Sequence, residues 1–516
     1  MTKKIFKLVS NSVFIIAFFS IVSRLLGLLR DRLLAANFGA GLSLDSYYAA
    51  FRLPDLIFNT LIFGALGSAF IPQFVKLLMN NKTKAIELAN TILNILSIII
   101  IVITGLFWIL SPQLVPLFSP GFNATGQSLT IQLTRIMLFS IIFFSLSTVM
   151  SSILNSLKKF FFYSLAPVLY NLGIIFGIIY LAPKYGIKGV AYGVVLGSFM
   201  HFLIQLIGAF KASWHYKFIF KLTYETKRVF RLMLPRTIGL AAYQINQIVI
   251  TAIASILKSG SLTIFSFANN IYFFPVNIFG ISISTVIFPN LSQNWASNES
   301  LKYQSNLFRS FRQILYFIIP ISIFFIFFSY EIIYLIFGVG KFSIADVSTT
   351  STVLIIFTVS IFAQSLLPVI TKAFYAQEDT KTPVIAGIIS MIVNIILSLT
   401  LTKAFQLNGL AAAFTLATII NFYILYFIIK KRLSITSNTD FKLFNLKTIS
   451  AAFIAVNAGY VINSALTNLL IENLFLILVR FAAVSLCILI FYYLLSKIFK
   501  IEEKYLLRKY LLFKDD

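Results

Sequence analysis

The stretch VFIIAFFSIVSRLLGLLRDR, residues 13–32, decides how the rest of the chain is read. A run of Phe, Ile, Val and Ala passes into a segment that keeps its leucines but adds Arg24, Arg30, Asp31 and Arg32. The surroundings make a bilayer the relevant solvent. Of 516 residues, 59% are hydrophobic and 11% charged, and the mean hydropathy is +0.92. A soluble domain carries about 45–50% apolar and about 25% charged residues, and no soluble fold of this size has the interior to hide the difference. The expected class is an all-α, polytopic membrane protein. The N-terminus MTKKIFKLVSNSVFIIAFF imitates a signal peptide, but no small-residue cleavage site follows it, so it is read as a retained first span.

Runs of about 20 apolar residues recur along the chain, and fourteen can be placed, the first centred near residue 22 and the last near 485. With the N-terminus in the cytoplasm, thirty Lys and Arg fall on the cytoplasmic side and five opposite, Lys184, Lys188, Lys258, Lys341 and Lys403. This alternation is the positive-inside signature and predicts that both termini lie in the cytoplasm. The net charge of +26 is then an orientation signal and a contact surface for anionic lipid. It does not indicate nucleic acid, because no binding motif accompanies it. Cys487 is alone and reads as a small apolar residue. His201 and His215 lack metal-ligand spacing and read as interfacial. No nucleotide-binding loop, nucleophile set or zinc pattern is present, so neither an enzyme nor a cofactor is expected.

Four phrases recur in order at nearly one spacing. PDLIF at Pro54 matches PVNIF at Pro275, AFIPQF at Pro72 matches VIFPNL at Pro289, SLAPVL at Pro167 matches TKTPVI at Pro383, and KGVAYG at Gly189 matches NGLAAA at Gly409. The offsets are 221, 217, 216 and 220 residues. A duplicated unit of six spans returns the chain to its starting side, so the halves are expected to be parallel and related by a pseudo-two-fold axis along the membrane normal. The expected organisation is a six-helix lobe over 1–210, a second over 211–432, and two further spans with a basic tail over 433–516.

Charges inside the first two spans mark the candidate site. An Arg at mid-bilayer costs roughly 2.5–3.5 kcal/mol on insertion scales, so such residues face a wet cavity or a partner. Asp31 follows Arg24 by seven residues, on the same helix face, with Arg30 about 120° away. The second span begins with Asp45 and continues through Arg52, Pro54 and Asp55, and Pro54 invites an unwound turn. Snorkelling explains Arg32 and Asp55 equally well. Three cations in two consecutive spans, Arg24, Arg30 and Arg52, favour an anionic ligand, above all a phosphate that guanidinium binds bidentately. Arg236 is a weaker candidate near the end of the seventh span, and Arg480 is expected against a carbonyl or an acid such as Glu472.

The segment from Ser23 to Pro72, SRLLGLLRDRLLAANFGAGLSLDSYYAAFRLPDLIFNTLIFGALGSAFIP, resembles the bacterial lipid II flippase family in its S-R-x-x-G-x-x-R-D opening, its F-G-A-G and its G-A-x-x-x-A-F-x-P close. SPGF at 119–122, FPNLS at 288–292, GKFS at 340–343 and FYAQEDTKTPV at 374–384 extend the resemblance. It implies fourteen helices in the superfamily of multidrug, oligosaccharidyl-lipid and polysaccharide exporters. It also implies alternating access and, as substrate, an undecaprenyl-pyrophosphate-linked disaccharide-pentapeptide moved from the inner to the outer leaflet for wall synthesis. Wall-synthesis enzymes would be its partners. Arg24, Arg30, Asp45 and Arg52 match charged positions of the family's central cavity. The chain departs from the family's pattern at Phe58, Ile250, Asn269, Asn270 and Phe273, where relatives carry charge, so the second lobe supplies less of it. An exporter of another lipid-linked oligosaccharide or of drugs shares these features, and a non-transporting scaffold for wall synthesis would need no polar cavity.

Overall fold

The computed structural model describes the backbone of residues 2–60, 64–433, 439–467 and 474–503. Side chains are described over the same ranges except 2–14, 64, 65, 67, 68, 234–240, 242, 439, 474 and 475. The described residues form helices and no strands, as a bilayer requires: without water, each backbone group must be satisfied within its own segment. The first half runs α1 (Thr2–Phe38), α2 (Leu42–Ala50), α3 (Arg52–Phe58), α4 (Gly64–Asn80), α5 (Lys82–Phe118), α6 (Ala124–Ser156), α7 (Phe160–Phe176), α8 (Ala182–Tyr185) and α9 (Ile187–Lys211). The second runs α10 (Tyr224–Ile256), α11 (Ser261–Pro275), α12 (Ser282–Ala296), α13 (Ser300–Phe337), α14 (Ile344–Thr358), α15 (Ile361–Ala376) and α16 (Lys381–Arg432), followed by α17 (Thr439–Thr467) and α18 (Leu474–Ile498).

Among the described residues, nine helices are long and apolar enough to cross a membrane, and ten if the bent pair α14–α15, with its 45° bend, makes one span. The protein is therefore a multi-pass membrane protein. One of the nine is two crossings in sequence terms. A straight helix of 52 residues would reach about 78 Å, far beyond a hydrocarbon core of about 30 Å. In α16 the backbone turns at Gln406, with φ 51° and ψ −131°, and Ser390 Oγ donates to the Ala417 carbonyl at 2.8 Å, so the two arms lie side by side.

Two of the three recurring proline pairs occupy matching places, while Pro167 lies in the middle of α7 and Pro383 in the first turn of α16. After Pro54 the chain widens into a π turn at 59–60, and after Pro275 into a π turn at Val276–Ile281. Pro72 lies inside α4 and Pro289 inside α12. The recurring glycines share a physical reason. A Cβ on Gly189 would strike the Leu181 carbonyl and the Ala182 nitrogen, and a Cβ on Gly409 would strike the Leu401 carbonyl and the Thr402 nitrogen. Each lets one arm of a helical hairpin lie directly on the backbone of the other. Between α7 and α9 the approach continues as Gly173 and Gly177 meet Gly193 and Gly197, the small-residue packing by which helices associate in lipid.

The chain divides into two compact units, residues 1–263 with 336–343, and residues 264–335 with 344–516. In the first unit, α10 packs on α3, α4 and α5, and Phe70 and Phe74 share a core with Val229 and Met233. In the second, α15 lies against α12 and α16, and the Tyr303 hydroxyl donates to the Ala373 carbonyl at 2.6 Å. The signature segment 374–384 is a helix cap there. Asp379 accepts from the Thr382 N–H at 3.0 Å and its hydroxyl at 2.7 Å, and pairs with Arg432 at 2.8 Å. Burial pushes this carboxyl up, but Thr382 and the Arg432 guanidinium outweigh it and hold it at about 2. Arg480 donates to the Thr467 hydroxyl at 2.7 Å, and Glu472 lies outside the described residues.

The glycine packing gives a direct test. Gly173→Leu forces α7 off the Gly197 backbone and is expected to cost about 1–3 kcal/mol, whereas Gly387→Leu, where no atom lies within 4 Å, is expected to be neutral. Thermal unfolding of the detergent-purified variants distinguishes the two, and equal midpoints would refute the packing.

Candidate functional site

Within the first unit, α1, α3, α4, α6, α7 and α9 line an open cavity of about 620 Å³. Its size lies within the usual range for ligand pockets, about 300–1,000 Å³. Arg24 lies on its wall beside Ser20 and Ser23 of the same helix. The apolar periodicity of α1 breaks at these positions, which is why they turn inward rather than to lipid. Across the cavity stand Thr148, Ser151 and Asn155 of α6, and His201 and Gln205 of α9.

Arg30 sits behind this wall. Its Nε and Nη2 donate to one Asp31 oxygen at 2.9 and 2.8 Å, and Nη1 donates to Asn171 Oδ1 at 3.1 Å. Asn171 in turn donates to the Ser23 hydroxyl and carbonyl, both at 3.2 Å, and to the Pro167 carbonyl at 3.1 Å. The Arg30 charge is thus matched by Asp31, and the pair is tied through Asn171 to the helix face that carries Arg24. Asp31 is 3% exposed and pairs with its neighbour in sequence, Arg30, at 2.8 Å. Arg52 donates from Nε to the Thr251 hydroxyl at 2.6 Å, and Thr251 passes its own proton to the Gln247 carbonyl at 2.9 Å. Arg52 is accordingly held against α10. The Arg236 side chain lies outside the described residues.

Asp45 occupies a different setting. It is 2% exposed and meets the start of α11, accepting from the Gly260 N–H at 2.6 Å and from the Thr263 N–H and hydroxyl at 2.8 and 2.7 Å. Helix N-termini leave N–H groups unpaired and favour anions, and Asp45 satisfies both needs from another helix. Around it the signature motifs meet through bare backbone. Gly39 lies on the Lys341 carbonyl, Gly340 on the Ala36 carbonyl and Gly260 on the Ala40 carbonyl, and the Lys341 N–H donates to Ala36 at 2.9 Å. Gly39 and Gly340, with φ of 65° and 62°, adopt a conformation that side chains disfavour. FGAG at 38–41 and GKFS at 340–343 are thus two halves of one contact.

The polar cluster of α6 and α9 was hidden in the sequence. His201 is a cavity residue, not merely an interfacial one, and its Nδ1 lies 2.7 Å from the Ser147 hydroxyl. Ser147 and Ser151 both reach Gln205 Oε1, at 2.6 and 3.1 Å. The available signal was the pair of four-residue spacings, Ser147 to Ser151 and His201 to Gln205, which put each pair on one helix face. Among the described residues no group of three or more His, Cys, Asp or Glu is placed to hold a metal ion.

Comparison with known proteins supplies the family. The family described as Lipid II flippase MurJ matches residues 34–480. The chain belongs to the lipid II flippase MurJ family. It is 30% identical over 443 residues to the "Probable lipid II flippase MurJ" of Rickettsia prowazekii (strain Madrid E), covering 85% of this chain and 87% of that one. A solved structure of a lipid II flippase MurJ in an inward closed conformation superposes with a TM-score of 0.78 at 28% identity, over 94% of this chain and 99% of that one. An inward-facing multidrug resistance transporter of the MATE family, in the MOP superfamily, superposes with a TM-score of 0.68 at 16% identity, over 80% and 94% of the two chains, and shares the fold.

Asp45 and Arg24 are expected to respond differently to truncation. Asp45→Ala strands the N–H groups of Gly260 and Thr263 and should cost about 2 kcal/mol of stability. Arg24→Ala, on a cavity wall, should leave the thermal midpoint near that of the parent. An undiminished midpoint for Asp45→Ala would show the clasp to be dispensable.

Proposed function

We propose that this chain translocates lipid II from the inner to the outer leaflet of the cytoplasmic membrane by alternating access of its two repeated halves, 1–210 and 211–432. The observation that carries this reading is a guanidinium, Arg24, beside a cluster of hydroxyl and amide side chains on the wall of a cavity built from helices otherwise composed for lipid. A cation in such a place offers what a pyrophosphate loses when it leaves water, and a fixed guanidinium costs no reorganisation when the anion arrives. Arg52 is the second anion ligand, exchanging its bond to the neutral Thr251 hydroxyl for a charge-assisted one. Arg30, already matched by Asp31, positions the Ser23 face through Asn171 and does not hold the substrate directly. The polyprenyl tail stays in lipid, with residues 433–516 lining its path. The Lys- and Arg-rich side faces the cytoplasm and its anionic lipid, and wall-synthesis enzymes consume the product on the other side.

Arg24→Ala and Arg52→Ala are each expected to cut lipid II translocation by purified protein in vesicles by about tenfold or more, matching about 1.5–3 kcal/mol for a hydrogen bond to a charged group. Both should fail to support growth of a strain depleted of its own flippase. Full transport by both variants would remove these residues from the site, and failure of the parent chain to move lipid II would remove the reading itself. Orientation is checked separately. With Cys487 replaced, a single Cys at position 82 should be shielded from an impermeant maleimide added outside the cell, and one at 258 should react with it; the reverse pattern overturns the topology.

A further inference from the structure

The cavity beside Arg24 has a chemistry that phosphate does not explain. Beyond that one cation its polar lining is neutral, and among its described lining residues there is no carboxylate. Its hydrogen-bonding capacity can be counted. Thr148 and Ser152 give their protons to the Phe144 and Thr148 carbonyls of their own helix at 2.9 and 2.8 Å, leaving oxygen lone pairs as acceptors. Ser147 and Ser151 give theirs to Gln205 Oε1. Because Ser147 has spent its proton, it accepts from His201 Nδ1–H, so His201 keeps Nε2 as an acceptor on a ring that lines the cavity. Gln205 is 1% exposed, and its amide N–H groups have no partner among the described residues. Ser164, 7% exposed and also on the lining, has a hydroxyl without a partner among them.

Buried polar groups are ordinarily paired, and two unpartnered donors on one cavity wall mark a place where a guest supplies the partners. The guest must accept from Gln205 and Ser164 and donate to His201 and Thr148. Hydroxyl and acetamido groups do both. The rings of Phe144 and Tyr163 on the same lining give apolar faces against which a pyranose can lie.

We propose that this cavity is a carbohydrate subsite that holds an N-acetylated sugar of the head group while Arg24 holds the adjoining phosphate. The proposal rests on the flippase reading and deepens it: discrimination of the substrate from sugar-free polyprenyl pyrophosphate lies with Gln205, His201 and Ser164.

The test uses the full chain in nanodiscs and three lipids: undecaprenyl pyrophosphate, the same lipid bearing the disaccharide without peptide, and lipid II. Gln205→Leu is expected to weaken binding of both sugar-bearing lipids about tenfold and to leave undecaprenyl pyrophosphate within twofold. Ser164→Ala removes an unpartnered buried hydroxyl, so it should keep or raise the thermal midpoint while weakening the sugar-bearing lipids about threefold. Arg24→Ala should weaken all three. If Gln205→Leu and Ser164→Ala leave the sugar-bearing lipids unaffected, weaken all three lipids alike, or weaken lipid II alone, the subsite is overturned and the flippase reading stands. If the parent chain binds none of the lipids, both fall.

Discussion

The absence of water in the hydrocarbon core governs this molecule. A charge or an N–H placed there has to find its partner in protein, and the structure is largely a record of how each did so. Arg30 is matched by Asp31 and steadied by Asn171. Arg52 rests on Thr251, Arg480 on Thr467, and Arg135 on the Ser111 hydroxyl and the Trp108 carbonyl. Asp45 accepts from the Gly260 and Thr263 N–H groups and the Thr263 hydroxyl at the start of α11. Against this background the lining of the first-unit cavity stands apart, because it gathers polar groups whose bonding capacity is not exhausted by their neighbours.

The helix breaks recur along with the phrases that repeat in the sequence. A π turn follows Pro54 and another follows Pro275, and the Gly189 and Gly409 contacts each fall eight residues beyond the carbonyl they meet. Such features are costly in an ordinary helix, since a proline removes a backbone bond and a wide turn loosens the next. Their recurrence at matching positions shows that the break belongs to the architecture. The same holds for the hairpin glycines, where any side chain would hold two backbones apart.

Much of this was legible in the sequence. The apolar runs gave an all-α membrane protein, and the spaced prolines and glycines marked the places where the helices break. The cavity charge Arg24 followed from one fact, that guanidinium does not sit in lipid unattended. What the sequence concealed were the closures over long chain distances. Asp45 and Arg52 stand close together in one candidate span, yet Asp45 bonds residues more than two hundred positions away. Helical periodicity places side chains on faces but says nothing about which other element arrives there. Asp31 shows a second failing of spacing: the long Arg30 side chain bends back to its neighbour, so an ideal-helix angle between the two predicts a separation that does not exist. His201 was hidden because hydroxyl-rich helix faces in lipid usually satisfy their own carbonyls, as Thr148 and Ser152 do.

The meeting of residues 36–41 with 340–341 has a mechanical corollary. Two surfaces that interlock through side chains must re-sort many rotamers before they separate, and that makes parting slow and sticky. Here main chain touches main chain across paired glycines, with one N–H to carbonyl bond between Lys341 and Ala36. Such a joint fits in one register only, because a side chain at Gly39 or Gly340 would hold the two backbones apart.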